Sequence, residues 1–370
     1  MNDLVINSTM QHTLLLFIPL IIAALLRLNK VRGSSIIGGV LAGILLGPAV
    51  FGSIAPDYWE GIFQGGQEEH KLVYELAQQD ELDQAIARWE VAKWEDQRTL
   101  RTYLLVLVSV VLLSGSIRRT IDATSNTATS LTVGVWAAIV PGGIIAVASQ
   151  YWWGTNVAGS LAIGACLGAG PWTLKRWEQQ TADDSEGGGA SLMLRCGYVA
   201  WVVASIAALY SSWTILGVMS LVWLLPMLLL PLFWLLPKGN LPWLTWFADN
   251  AAIPSIAATA MVSIHPLDAL SFWPIVLVAL ISSDGRWLGG MIGLLILGGR
   301  TSAAAMRITM PLVDAGASQL CMAALLFGVG VLSAELAVAA IIGAVFIELT
   351  AKTRQKFAAS IGEEDLFHRD

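Results

Sequence analysis

Charge is scarce in this chain: Asp, Glu, Lys and Arg make up 13% of its 370 residues, while 56% are hydrophobic. A soluble domain carries about 25% charge, so the composition describes an integral membrane protein. Strict apolar/polar alternation is also missing, which excludes a β-barrel and leaves α-helices as the spanning elements. Cysteine is sparse, and Cys166, Cys196 and Cys321 all fall inside apolar runs, where they read as small buried hydrophobes rather than disulfides. The four histidines, at 12, 70, 265 and 368, form no cluster with metal-ligand spacing. No positively charged segment precedes the first apolar run, so a cleaved signal peptide is not expected. The sequence implies no cofactor, no metal and no nucleic-acid partner. The Gly-x-Gly-Asp of intramembrane aspartyl proteases is absent, and no enzymatic activity is expected.

What is present is a succession of apolar runs of about 20 residues, the length that crosses a bilayer. Hydropathy predicts about eleven spans, at 12–28, 34–55, 101–118, 131–152, 156–175, 191–210, 213–236, 242–264, 271–299, 308–330 and 334–351. With the N-terminus outside, the cytoplasmic side receives Arg27, Lys30, Arg32, Arg118, Arg119, Lys175, Arg176, Arg195, Lys238, Arg300, Arg307, Lys352, Arg354, Lys356 and Arg369. The positive-inside rule favours that placement. It gives a multi-pass protein of the cytoplasmic membrane, with the N-terminus outside and the C-terminus inside. Residues 1–352 form the transmembrane domain and 353–370 a short polar cytoplasmic tail. An acidic stretch, 57–100, is read as an extracytoplasmic helical insert, either resting on the bundle or docking another protein. Trp152, Trp153, Trp243 and Trp246 sit near span ends, as interfacial anchors do.

The ninth span contains Asp284-Gly285-Arg286 in otherwise apolar surroundings. Neither flank alone is long enough to cross, whereas residues 272–299 as one helix reach about 42 Å at about 1.5 Å per residue. Splitting the run would also move basic residues to the outer face. One helix therefore places two opposite charges deep in the bilayer, where charge is costly and usually functional. Two positions apart on a regular helix, the two side chains point about 200° from each other, so each needs its own partner. Arginine does not deprotonate in such a setting and is a fixed organising charge. Asp314, and also free carbonyls at a helix break, are possible partners for Arg286. The titrating carboxylate is expected to be Asp314 or Asp284, with a purely structural polar knot as the other reading. Asp249 is a further acid nearer the cytoplasmic face, and Glu335 and Glu348 lie at span ends facing water or headgroups.

Glycine marks the packing. Gly39, Gly43 and Gly47 recur every fourth residue along the second span, a stripe that lets another helix approach closely. Gly168, Gly170 and Pro171 should interrupt the fifth span, and Pro311, Gly316 and Ser318 mark a comparable weak point around Asp314 in the tenth. The fifth span begins outside and the tenth inside. Spans four to six and nine to eleven then form two three-helix units of opposite orientation, each with a broken central helix. That is the sequence signature of an inverted-repeat transporter, with its site where the breaks cross.

Residues 33–52, with Gly38-Gly39, Ala42-Gly43 and Gly47-Pro48, resemble the second-helix motif of the monovalent cation:proton antiporter (sodium/hydrogen exchanger-like) family. Leu112-Leu113-Ser114-Gly115 is similar to the end of the family's next helix, and 254–268 to the segment before its charged helix. Arg286 falls where the family keeps a midmembrane lysine or arginine. The resemblance covers most of residues 12–352. It implies an all-α antiporter-like fold with two broken, crossing helices, exchange of Na⁺ or K⁺ for H⁺ by alternating access, and a homodimer. The chain also departs from the family. An Asp-Asp or Asn-Asp pair is expected at 194–199, where Leu-Arg-Cys-Gly-Tyr-Val stands, and the stretch between spans six and eight is shorter. A transport-inactive relative acting as a membrane subunit or sensor is the alternative.

Overall fold

The computed structural model of the chain describes residues 2–59, 62–63, 100–114, 127–169, 205–211, 213, 221, 241–263, 272–296, 301–310 and 316–361. Nearly all of these are helical, and no strand occurs among them. In chain order they comprise α1 (Asn2–Leu28), α2 (Ser34–Leu46), a π-helical turn π1 (Pro48–Gly52) and α3 (Pro56–Trp59). Next come α4 (Leu100–Ser114), α5 (Thr127–Trp153), α6 (Val157–Ile163) and π2 (Gly164–Ala169). The second half holds α7 (Pro242–Phe247), π3 (Ala248–Ala252), α8 (Ile253–Ser263), α9 (Phe272–Ile296), α10 (Ser302–Thr309), α11 (Gly316–Gly328) and α12 (Ala334–Ser360).

Among the described residues, three stretches are long and apolar enough to cross a membrane: Thr9–Leu28, Ser34–Gly52 and Val135–Trp153. The apolar helices Leu100–Ser114, Val157–Gly168 and Gly316–Gly328 are shorter. α9 has the length but carries Ser282, Ser283, Asp284 and Arg286 at its middle. Most of the 57–100 insert and the 194–199 stretch lie outside the described residues.

Two helices are buried almost all round. Every residue of α8 from Ile253 to Val262 is buried, as is α11 from Gly316 to Leu326. A helix apolar on all faces belongs at the centre, and these two touch each other there. α1 and α2 pack on α8; α12 packs on α11; α9 lies against α5, α10, α12 and π2. The outer faces are apolar too, with Phe17, Ile21, Leu25 and Leu28 of α1 and Ile139, Ile144 and Val147 of α5 exposed.

Several boundaries differ from the sequence reading, each for a local reason. The second span does not continue as one α-helix to residue 55. Gly47 takes φ −77° and ψ 178° and ends α2, because the proline at 48 pushes the residue before it out of the helical region. The Trp59 indole Nε1 then donates to the Leu46 carbonyl at 2.8 Å, satisfying an acceptor at the helix end. The eighth span, read as unbroken, contains the wide turn π3. The last helix runs nine residues beyond 351, so the expected tail begins as helix. Its residues 352–360 are Lys, Thr, Arg, Gln, Lys, Phe, Ala, Ala and Ser, with no Gly or Pro to stop it.

Candidate functional site

The second-span stripe splits three ways. Gly39 lies against the Pro254 carbonyl and Ala257, and Gly43 against Met261 and Ala258, so both face α8. A β-carbon on Gly43 would stand 2.9 Å from the Ala258 carbonyl oxygen. Gly38 instead faces Ala23 of α1. Gly47 meets no other helix and is the cap described above.

α9 passes through Asp284-Gly285-Arg286 as one continuous helix. Gly285 and Gly289, one turn apart, sit on the face that meets α5. A β-carbon on Gly285 would lie 2.6 Å from Cβ of Pro141, and Gly289 lies against the Trp136 carbonyl. These two glycines let α9 and α5 approach closely, which brings Arg286 to Gly164–Ala169. There π2 replaces α-helix, as wide turns often do at functional sites. α6, which leads into it, is capped by the Asn156 side chain accepting from the Gly159 amide. Gly168 lies so close to the backbone of Pro141 and Gly142 that an added β-carbon would stand 2.5 Å from Gly142 Cα.

Arg286 is 1% exposed and is the largest fully buried side chain among the described residues. Its Nε donates to the Gly168 carbonyl at 2.9 Å, and its Nη2 has no hydrogen-bond partner among the described residues. The guanidinium therefore meets the wide turn π2 through a backbone oxygen. Asp284 faces elsewhere and pairs with Arg354 of α12, Nη2 to Oδ1 3.0 Å. Arg354 was placed in the cytoplasmic tail, but the extension of α12 carries it back to the bundle. Asp314, Gly170 and Pro171 lie outside the described residues.

Gly316 opens α11, where a β-carbon would be 2.7 Å from the Ala344 carbonyl. Ser318 is buried, and its Oγ has no partner among the described residues. Next to it is a residue that sequence reasoning missed. Gln319 is fully buried; its Nε2 donates to Ser282 Oγ at 2.7 Å and to the Ala340 carbonyl at 2.9 Å, while Oε1 has no hydrogen-bond partner among the described residues. A lone amide in the otherwise apolar run 316–328 was the available signal. Gly343 makes the junction possible: its absent β-carbon would stand 2.5 Å from Ser282 Oγ.

Glu348, expected near a span end, takes part in the packing there. It is half-buried between the starts of α2 and α11, its Cβ 2.8 Å from where a Gly33 β-carbon would be and its Oε1 3.0 Å from where one on Gly316 would be. Glu335 accepts from the Trp153 indole. Asp249 sits in π3, and its backbone carbonyl accepts from Ser35 Oγ at 2.7 Å, while the neighbouring Asn250 side chain accepts from Arg27. Cys166 and Cys321 are buried and free. No group of three or more His, Cys, Asp or Glu able to hold a metal occurs among the described residues.

These contacts fix helix directions. Gln319 meets Ala340 while Gly316 meets Ala344 and Glu348, so α11 and α12 are antiparallel. Ser282 lies at Gly343 and Asp284 reaches Arg354, so α9 and α12 are parallel. π2 packs against α5, α9 and α11 together. The arrangement joins a buried fixed cation, one wide turn and the buried polar residues Ser318 and Gln319 of α11. No family model matches the sequence, and no curated protein is similar to it.

Proposed function

We propose that the chain is a multi-pass membrane protein of about eleven spans in the cytoplasmic membrane. In this reading it is a secondary transporter that exchanges Na⁺ or K⁺ for H⁺ by alternating access. The observation that carries the reading is the Arg286–Gly168 hydrogen bond. A buried cation held against the interrupted part of another helix is costly as mere scaffolding, and interrupted helices near the midplane are where such transporters bind their ions. Two further features support it. The outer faces of α1 and α5 are apolar, as lipid contact requires. α9, α11 and α12 run parallel and antiparallel as three successive spans would. In this reading Asp314, at the start of the second break, is the carboxylate that trades proton for cation, Arg286 organises the crossing, and two copies form a homodimer.

The test is flux in sealed vesicles carrying an imposed pH gradient. Adding Na⁺ or K⁺ to the wild-type protein should collapse the gradient, and Asp314→Asn should abolish the response. A wild-type protein that moves no protons with either cation would overturn the exchange reading.

One observation favours a second reading, a transport-inactive membrane subunit or sensor. Asp284 is neutralised by Arg354, and no acid occupies 194–199. That reading predicts no cation-dependent proton movement, and a co-purifying partner lost when 57–100 is deleted.

A further inference from the structure

The end of α1 and the turn into α2 carry three cations, Arg27, Lys30 and Arg32, all of them exposed. None makes an ion pair among the described residues, and Arg27 donates only to the neutral Asn250 and Ser35 side chains. A guanidinium has five N–H groups, so Arg27 keeps donors for a further acceptor. Asp249, the acid beside Asn250, forms no ion pair with any of the three among the described residues.

Helix termini account for part of this charge and not for all of it. α1 ends in a tight reversal, in which the Lys30 amide donates to the Arg27 carbonyl and the Val31 amide to the Leu26 carbonyl, both at 2.9 Å. Lys30 takes φ 57° there, at the position where helices usually place glycine. Cations at 27 and 30 suit the negative end of the α1 dipole. Arg32 gains nothing comparable from α2, because it stands just before that helix, at the positive end of its dipole.

The surface beside the cations is apolar. Leu28 is 79% exposed, and Trp243 and Trp246, three positions apart on α7, are 67% and 59% exposed. The Asn250 side chain joins the two features, accepting from Arg27 and donating to the Trp246 carbonyl at 2.7 Å. A small hydrated anion gains nothing from exposed indoles and leucine. A phospholipid does, since its phosphate meets the cations while its glycerol and chains lie along the apolar side chains. The apolar stretch Thr9–Leu28 ends at this level, where headgroups lie in the membrane reading.

We infer that the α1–α2 turn and the exposed side of α7 hold the headgroup of an anionic phospholipid. Arg27, Lys30 and Arg32 face its phosphate, and Leu28, Trp243 and Trp246 flank its chains. The inference rests on the membrane reading above and is independent of cation exchange.

The experiment titrates phosphatidylglycerol, or phosphatidylcholine with the same acyl chains, into the full-length protein in neutral detergent and reads the thermal midpoint. The wild-type midpoint should rise and saturate with phosphatidylglycerol and stay flat with phosphatidylcholine. Lys30→Gln/Arg32→Gln keeps Arg27 and its bonds, and should need several-fold more phosphatidylglycerol for the same rise. Lys356→Gln, which removes an exposed cation from the last helix, should respond as wild type. Equal responses to the two lipids overturn the inference, as does a double variant that titrates like wild type. A loss in Lys356→Gln as large as in the double variant shows unspecific attraction and overturns it too. So does inorganic phosphate that reproduces the rise, because the occupant is then a free anion. Carbonate washing of membranes separates the two levels. Protein released by the wash defeats the membrane reading and this site together, whereas retained protein indifferent to phosphatidylglycerol defeats the site alone.

Discussion

Gln319 and Ser282 meet side chain to side chain at 2.7 Å, fastening the first turn of α11 to the middle of α9. The same amide reaches the Ala340 carbonyl at 2.9 Å, so one residue joins three helices. Gln319→Leu removes both bonds and leaves the Ser282 hydroxyl only its own bond to the Ala279 carbonyl. A loss of about 1–2 kcal/mol is expected, read as a lower thermal midpoint in detergent. Gly343→Ala should disturb the same junction from the other side, because its β-carbon has no room beside Ser282.

The Asp284–Arg354 pair predicts coupling between α9 and α12. Asp284→Asn and Arg354→Gln should each destabilise by removing this ion pair. The double variant should lose less than the sum, with an interaction of about 0.5–3 kcal/mol in a double-mutant cycle. Strict additivity would show that the pair contributes nothing.

Close packing at the second span gives a graded prediction. Gly39→Val and Gly43→Val force side chains into the α8 backbone and should cost about 1–3 kcal/mol or more. Gly143, exposed on α5 with nothing within 4 Å of an added β-carbon, is the control. Gly143→Ala should be neutral or stabilising by about 0.5–1 kcal/mol, as alanine replaces glycine within a helix. Thermal unfolding of the three variants side by side checks the order.

Gly168→Ala should push π2 away from α5, since the new methyl meets the backbone of Pro141 and Gly142. The carbonyl that accepts from Arg286 moves with it. The expected result is a lower thermal midpoint together with loss of any cation-driven proton flux. A variant with wild-type flux and stability would show that the bond is incidental.

Much of the helical layout is legible in the chain itself. The length argument reads residues 272–299 as one helix, of which Phe272–Ile296 is helical in the structure, and the two-residue spacing of Asp284 and Arg286 implies separate partners. The identity of those partners is not legible. Gly168 offers only a backbone carbonyl, which every residue possesses, and it stands 118 positions from the guanidinium. Hydropathy reads depth and not neighbours, so Glu348 was assigned to water although it packs between Gly33 and Gly316. Apolarity also set the end of the last span at 351, whereas helix propensity carries it to Ser360 and brings Arg354 to Asp284. The wide turn in 248–252 has no compositional mark and was missed. Glycine and proline cluster at 168–171, and the described part of that stretch belongs to the wide turn Gly164–Ala169.

Asp284 and Arg286 leave α9 in nearly opposite directions, one bolted to α12 and the other to π2. The helix is thus riveted on two sides and cannot spin about its long axis without snapping one fastening. Any shear between the first interrupted segment and the final helix must carry α9 along with one of them, and the rivet that gives way marks the sliding plane.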